Sequence, residues 1–467
     1  MGTTARIWWI RRDLRLTDNA ALLAAAEAGP VIPLFIFDER FEGLGAAPRW
    51  RLQEGLRALA ASLEDRGSRL ILRRGDARAV MPAILDETEA AGVHWLRLYD
   101  PYSRDVDAEI KSALREDGYE AESHAGHLLQ EPMNVRTQAG EFYKVYTPFW
   151  KAIRQMEVPA PMAAPELSAP ESWPQSDDLG DWNMASDMQR GADVLARHNR
   201  AGEEAARDKL SHFLETRAGE YKDARNMVGQ AGTSELSDHL SLGEISPRTI
   251  WAEAQAAGGG KGLEHFLSEV GWRDFAHHLM YHTPHMLDQN WREGWDAFPW
   301  SEDESNDAVR AWKEGRTGID FVDAAMRELW VTGKMHNRAR MVAASYLTKH
   351  MMVHWRVGER WFADQLVDYD PASNAMGWQW VAGSGPDAAP YFRVFNPDTQ
   401  LSKFDPEGRY VRAWIAEGQS DPPRTALEFF EAVPKGAGLN PGQARPDAPI
   451  IGLKEGRERA LAAYSAR

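Results

Sequence analysis

The chain has 467 residues, no cysteine, 19 tryptophans and a formal net charge of −16. Zero cysteine excludes disulfide scaffolds, Cys-ligated zinc, iron–sulfur clusters, c-type haem and thiol nucleophiles, and at about 150 residues per domain the length implies two to four domains. The acid excess argues against a general nucleic-acid binder, because phosphate contacts rest on Lys and Arg.

The first residues, MGTTARIWWIRRDLRL, reach charge after an apolar run too short for a signal peptide. No window approaches 18 uncharged apolar residues, so a soluble, cytoplasmic protein without membrane contact is expected. Four β-rich runs follow: Ala5–Arg11, Val31–Asp38, Arg69–Arg73 and Val93–Tyr99. Helical stretches alternate with them at Asn19–Ala28, Pro48–Arg66, Arg78–Ala91 and Arg104–Glu116. This alternation predicts a Rossmann-like parallel α/β domain over residues 1–130. Its strand exits are polar (Arg11-Arg12-Asp13, Asp38-Glu39, Asp100), which fits either a ligand edge or ordinary loop polarity.

Residues 157–190 carry five prolines, seven acids and one basic residue. They read as a linker or surface-wrapping loop, and the whole linker is placed at 131–195. From 196 to 467 the pattern is helical, as in Asp320–Trp330 and Arg338–Leu347. Ser246-Pro247 and Ser301-Glu302-Asp303-Glu304 read as helix starts. Gly258–Gly262 lacks Walker spacing and follows a helix, so it is read as a flexible connection. His277, His278, His282 and His285 have metal-like spacing without a matched carboxylate, and no metal site is assigned.

Ten tryptophans fall between Trp272 and Trp380. Core packing accounts for most of them; stacking on a flat ligand, clamping a substrate and relaying electrons are the chemical alternatives. Asp368-Tyr369-Asp370 with Asn374, Trp378 and Trp380 suggests an apolar aromatic ligand held by a few oriented polar groups. His336–Met341 adds two guanidinium groups suited to phosphate, and Gly232–Ser237 offers hydroxyls and backbone N–H groups. Together these runs ask for a dinucleotide-like cofactor with a planar ring. Residues 327–356 hold six basic residues and one acid, a local +5 that leaves −21 on the rest. Total charge is therefore a poor guide to partners.

The ordered motifs Trp9–Asn19, Thr233–Ser237, Trp272-Arg273, Ala311–Gly318, His336–Met341, Asp368–Trp380, Ala389–Arg393 and Asn396-Pro397 resemble the photolyase/cryptochrome family. The resemblance is to class I cyclobutane pyrimidine dimer photolyases. It implies an N-terminal α/β domain, a long linker and an all-helical domain holding FAD. Tyr221, Thr233, Ser234, Leu236 and Ser237 would contact the phosphate and ribityl side, with Phe266 as an aromatic wall where relatives often carry Trp. Asn337 and Arg340 would flank the flavin, Asp368 and Asp370 would contact isoalloxazine and ribose, and Asn374 would face N5. An Asn there has no acidic proton to donate, which favours the anionic reduced flavin.

The resemblance also implies a lesion pocket. Glu269 would hydrogen-bond the dimer. Trp272 and Trp380 would wall it, and Met341 would pack on it. Trp378, Trp355 and Trp300 match a photoreduction chain. Arg225, Trp272, Arg273, Arg338, Arg393, Gln400 and Lys403 would face UV-damaged DNA. The implied reaction is blue-light excitation of reduced FAD, transfer of one electron to a flipped-out dimer, ring opening and return of the electron. A second chromophore stays open between methenyltetrahydrofolate, 8-hydroxy-5-deazaflavin and none. A monomer is the family expectation. The alternative reading is a cryptochrome-type blue-light photoreceptor that repairs nothing.

Overall fold

A computed structural model describes residues 4–188, 191–387, 393–442, 445–446 and 448–467. Five parallel strands form one sheet: β1 Arg6–Ile10, β2 Val31–Phe37, β3 Ile71–Arg74, β4 Gly92–Leu96 and β5 Glu120–His124, in the order β3-β2-β1-β4-β5. Side-chain alternation explains why both faces are covered. Trp8 and Ile10 of β1 point into one apolar layer with Phe35 and Leu56. Ile7 and Trp9 point into the other with Ile71, Trp95 and Ile110. The four expected strands and four expected helices are present, with ends shifted by a few residues. β5 was not expected. Its sequence EAESH contributes only Ala121 to a core, because an edge strand buries one face weakly.

The polar strand exits satisfy one another or tie the sheet to the helical half. Arg11 pairs with both carboxylate oxygens of Asp107, at 2.5 and 3.1 Å. Asp13 accepts from the Arg11 backbone and from Asn19, at 2.8 and 2.9 Å. Arg15 donates to the carbonyls of Gly126 and Gly243, both at 2.9 Å. Gly243 has φ +67°, and a Cβ there would meet the Arg12 carbonyl. Buried Arg51 binds Glu244 through two nitrogens, at 2.8 and 2.5 Å. Burial alone would lower its pKa, but Glu244 and Asp238 raise it above the ordinary arginine value.

The segment expected as linker is partly structured. Tyr146–Ile153 is a helix, and Tyr146, Phe149 and Ile153 pack on Phe275 and Leu279 of the long helix Lys261–His282. From 157 to 188 the described residues form only two short 3-10 turns, as a proline-rich acidic segment should. Ser246 caps Pro247–Ala256 as expected. The other expected start is displaced. Ser301 is drawn into a β-bridge with Val353, Asp303 closes a turn onto Ser305, and the helix Asp307–Lys313 begins after Asn306. Gly258–Gly260 connect Pro247–Ala256 to Lys261–His282, but Lys261 and Gly262, expected in that connection, form the first turn of the helix. The core of the helical half gathers around Trp312, Tyr346, Trp355 and Trp378. No described helix is long and apolar enough to cross a membrane.

Candidate functional site

Two capped helices shape one cleft. His336 caps Asn337–Ser345 by accepting from the Arg338 N–H at 3.1 Å. Asn337, Arg340, Met341 and Ala344 then fall on one face at helical spacing. Asp370 caps Pro371–Ala382 by accepting from the Ser373 N–H at 2.8 Å. Asn374, Gly377, Trp378 and Val381 form the facing stripe. Phe362, Leu366, Asp368 and Asp370 complete the cleft.

The polar side of the cleft is held by its neighbours. Arg340 donates to the Met335 carbonyl and to Asp368 Oδ2, both at 2.7 Å. Asp368 Oδ1 is buried and has no partner. Asn374 Nδ2 donates to the Glu359 carboxylate and backbone carbonyl, at 2.9 and 3.1 Å. Burial pushes the Glu359 carboxyl up to about 7. Asp370 Oδ2 meets His277 Nε2 at 2.8 Å. Burial alone would raise the Asp370 pKa, but His277 and Arg273 hold it well below the carboxylate range. His127, His277 and Asp370 have metal-like proximity. However, an Arg273 guanidinium nitrogen sits 2.9 Å from His127 Nε2, where a cation would be repelled. This triad positions Asp370 instead.

The floor is tryptophan. Trp378 is buried and its Nε1 has no partner. It meets Phe362 and Trp312 edge-on, at 4.9 and 6.1 Å. Gly358 lies against its indole, and a Cβ there would collide with the ring. Trp355 is fully buried and donates to Asn290 Oδ1 at 2.8 Å. Trp300 donates to the Thr348 carbonyl at 2.9 Å and meets His354 at 5.2 Å; His354 lies 5.5 Å from Trp355. Trp355 and Trp300 are thus linked through an imidazole.

Of the residues expected around a substrate, Met341 and Asn374 line the cleft, and Glu269, Trp272 and Trp380 are not among its lining residues. Trp272 is half-buried and stacks on Tyr146 with ring centres 3.6 Å apart at 12°. Glu269 forms an ion pair with Arg225. Met341 and Trp380 are half-buried and pack on the core beneath the cleft. Tyr221, Leu236 and Phe266 share a separate apolar cluster, where Tyr221 and Phe266 meet edge-on at 5.6 Å. Thr233 and Ser234 are half-buried and Ser237 is exposed. Of the eleven residues expected at a cofactor, Asn337, Arg340, Asp368, Asp370 and Asn374 line the cleft. The other six lie on the neighbouring segments Tyr221–Ala224, 233–237 and Lys261–His282.

Expected DNA-facing residues divide. Arg338 donates to Asn226 Oδ1 at 2.7 Å and lies over Phe404, which Lys403 also covers. Arg225, half-buried Gln400 and exposed Lys403 and Arg393 sit on the same half. Arg273 departs from expectation. Its guanidinium donates to the His127 carbonyl and ring at 2.8 and 2.9 Å, so it braces the junction with residues 126–131. Ala389-Pro390-Tyr391-Phe392 lie outside the described residues. Sequence reasoning missed Glu359, Asn290 and Tyr146. Tyr146 carried the one usable signal, an aromatic in an apolar helix start.

The cleft has the form a planar heterocycle needs: an apolar wall, an orphaned carboxylate oxygen for a ring N–H, an amide beside it and an arginine at the edge. The family model described as DNA photolyase matches residues 6–166, and the model described as FAD binding domain of DNA photolyase matches 266–466. A deoxyribodipyrimidine photo-lyase of Agrobacterium fabrum is 44% identical over 100% of this chain and 98% of its own length. The Escherichia coli protein of the same name is 35% identical over 99% of each. A solved bacterial class III photolyase from Agrobacterium tumefaciens superposes with TM-score 0.91 at 42% identity, covering 100% of this chain and 98% of its own. A Synechocystis cryptochrome superposes at 0.84 with 28% identity over 99% of each. The class I subclass expected from the sequence gains no support from these relatives. Fold, cleft and relatives agree that the chain belongs to the photolyase/cryptochrome family.

Proposed function

We propose that this protein is a light-dependent DNA lyase that opens cyclobutane pyrimidine dimers, with FAD held in the cleft between Asn337–Ser345 and Pro371–Ala382. The observation that supports the reading is a cleft lined by Arg340, Met341, Asp368, Asp370 and Asn374 over buried Trp378; Glu269, Trp272 and Trp380 would complete it around a substrate. Arg340, Asp368, Asp370 and Asn374 would hold the cofactor. The chemistry the group supplies when bound is reversible one-electron donation, on blue-light excitation of its reduced form, to a dimer above it.

The chain's own residues prepare that step. Asp368 Oδ1 is a free acceptor for a ring N–H, and Arg340 keeps its partner oxygen occupied. Glu359 fixes the Asn374 amide, which carries no acidic proton and so favours an anionic ring. Glu269 offers a carboxyl whose hydrogen bonding would offset charge on a dimer carbonyl. Trp272 and Trp380 would wall a dimer that has left the duplex stack, where its poor pairing lowers the extrusion cost. Arg225, Arg338 and Lys403 would meet the adjoining phosphates, each worth roughly 0.7–0.9 in the slope of log K against log salt. The subclass supported is class III, through the 0.91 superposition. A monomer is the working state we assign. The curated relatives include Arabidopsis thaliana cryptochromes at 34% identity. Asn374, Glu269 and Met341 favour repair over signalling alone.

The test is Glu269→Ala in the FAD-loaded protein. Repair quantum yield should fall while FAD occupancy stays unchanged. An unchanged yield removes the role given to Glu269.

A further inference from the structure

Far from the cleft, at the outer edge of the sheet, two strands bring imidazoles together. His94 on β4 stands in register with Glu122 on β5, and Leu96 with His124. Residues two apart share a face, so His94, Glu120, Glu122 and His124 all project on the side opposite Val93, Trp95 and Ala121. His94 Nδ1 and His124 Nε2 are 3.1 Å apart. One ligand atom from each of His94, Glu122 and His124 lies within 4.8 Å of the others.

Neighbouring carboxylates fix which nitrogens are free. His94 Nε2 is buried, makes no hydrogen bond and faces Glu120 Oε1 at 3.5 Å. Glu120 is itself anchored by Arg6 at 2.8 Å. A proton on Nε2 facing that carboxylate leaves Nδ1 bare toward His124, and a small closure of the 3.5 Å gap on binding would form the carboxylate–histidine hydrogen bond that supports metal ligands. Burial lowers both imidazole pKa values, His124 to about 4. Two nitrogens bound tetrahedrally at about 2.0–2.1 Å stand roughly 3.3 Å apart, close to the separation found. Lys111 and Arg97 are also near His124 but are drawn to Ser123, on the opposite face of β5, by hydrogen bonds of 3.1 Å from Lys111 to its side chain and 2.5 Å from Arg97 to its carbonyl.

We propose that His94, His124 and Glu122 form a site for a divalent transition metal of the zinc, copper or nickel type, with water completing the coordination. Imidazole and carboxylate donors suit those ions. In the metal-free protein His124 Nε2–H donates to His94 Nδ1. Binding moves the His124 proton from Nε2 to Nδ1, so no net proton is released. The ion clips edge strand β5 to β4. The competing account is a plain imidazole–imidazole hydrogen bond on a charged edge.

The test uses the chelator-treated, FAD-loaded full chain titrated with Zn²⁺ alone and with Cu²⁺ alone. One tight equivalent is expected by calorimetry, with copper resonance showing two coupled nitrogens. His124→Ala and Glu122→Gln should each abolish that equivalent, and His282→Ala, outside the cluster, should retain it. Glu120→Gln keeps all three ligands and should weaken binding by about 10–100-fold. If a variant unfolds, the copper spectrum of the wild-type chain still decides. Absence of a stoichiometric site, a spectrum without two nitrogens, or full binding by His124→Ala and Glu122→Gln would overturn the proposal.

Discussion

Trp378, at the floor of the cleft, and Trp355 are both sealed in the core, and Gly358 removes the side chain that would obstruct Trp378. By contrast, Trp272 gives one face to Tyr146 and is half-buried, and Trp380 is half-buried against the helical core. One residue type thus occupies two environments. A sealed indole keeps solvent and protons away from a charge passing through it, whereas a half-open indole has a face left for a base. The environment decides the use, and a count of tryptophans does not.

Substitutions on each side should break that contrast in different ways. Trp378→Phe should abolish light-driven reduction of oxidised flavin while repair by chemically reduced protein survives. Transient absorption and a repair assay on the same sample check this, and loss of both activities would place Trp378 outside a relay. Trp272→Ala should leave photoreduction intact. It should weaken binding of dimer-containing oligonucleotide by about 1–3 kcal/mol, the range of one base stack. Gly358→Ala should cost roughly 1–3 kcal/mol in denaturant unfolding, because an inserted methyl overpacks a filled core. Photoreduction should slow with it, since the displaced ring is Trp378.

The most gradual effect is a pH slope. Burial raises Asp274, Glu328 and Glu359 to about 7 in the folded chain. Groups raised in this way hold protons that the unfolded chain has lost above about pH 4–4.5. Their stabilisation is complete at low pH and is lost as pH rises toward 7. Glu359→Gln should therefore reduce the fall in stability between about pH 5 and 7 by up to ~1.4 kcal/mol per pH unit. Urea titrations of both proteins across that range measure it.

Much of this arrangement could be read in the sequence. Short β-rich runs placed β1 to β4, helical periodicity placed the helix over 338–347, and Asn337 and Arg340 were placed at the cleft by the family resemblance. β5 was illegible because an edge strand with one core residue has no apolar period. The start at Asn306 was masked by an equally good cap at Ser301, which tertiary pairing with Val353 diverted. Glu359 and Asn374 lie 15 residues apart, and His277 and Asp370 lie 93 apart. Such partners meet only through packing between helices, so no local pattern announces them. Arg273, given a DNA-facing place by the family resemblance, is half-buried and bound by His127, 146 residues away, a partner no local pattern announces.

The central claim is that cleft, floor and rim form one machine for splitting dimers. Anaerobic illumination of the fully reduced, FAD-loaded protein with a thymine-dimer oligonucleotide, followed at the thymine absorbance band, tests it most directly. The account predicts recovery of that absorbance in the light and none in the dark. No recovery with fully reduced flavin would contradict it.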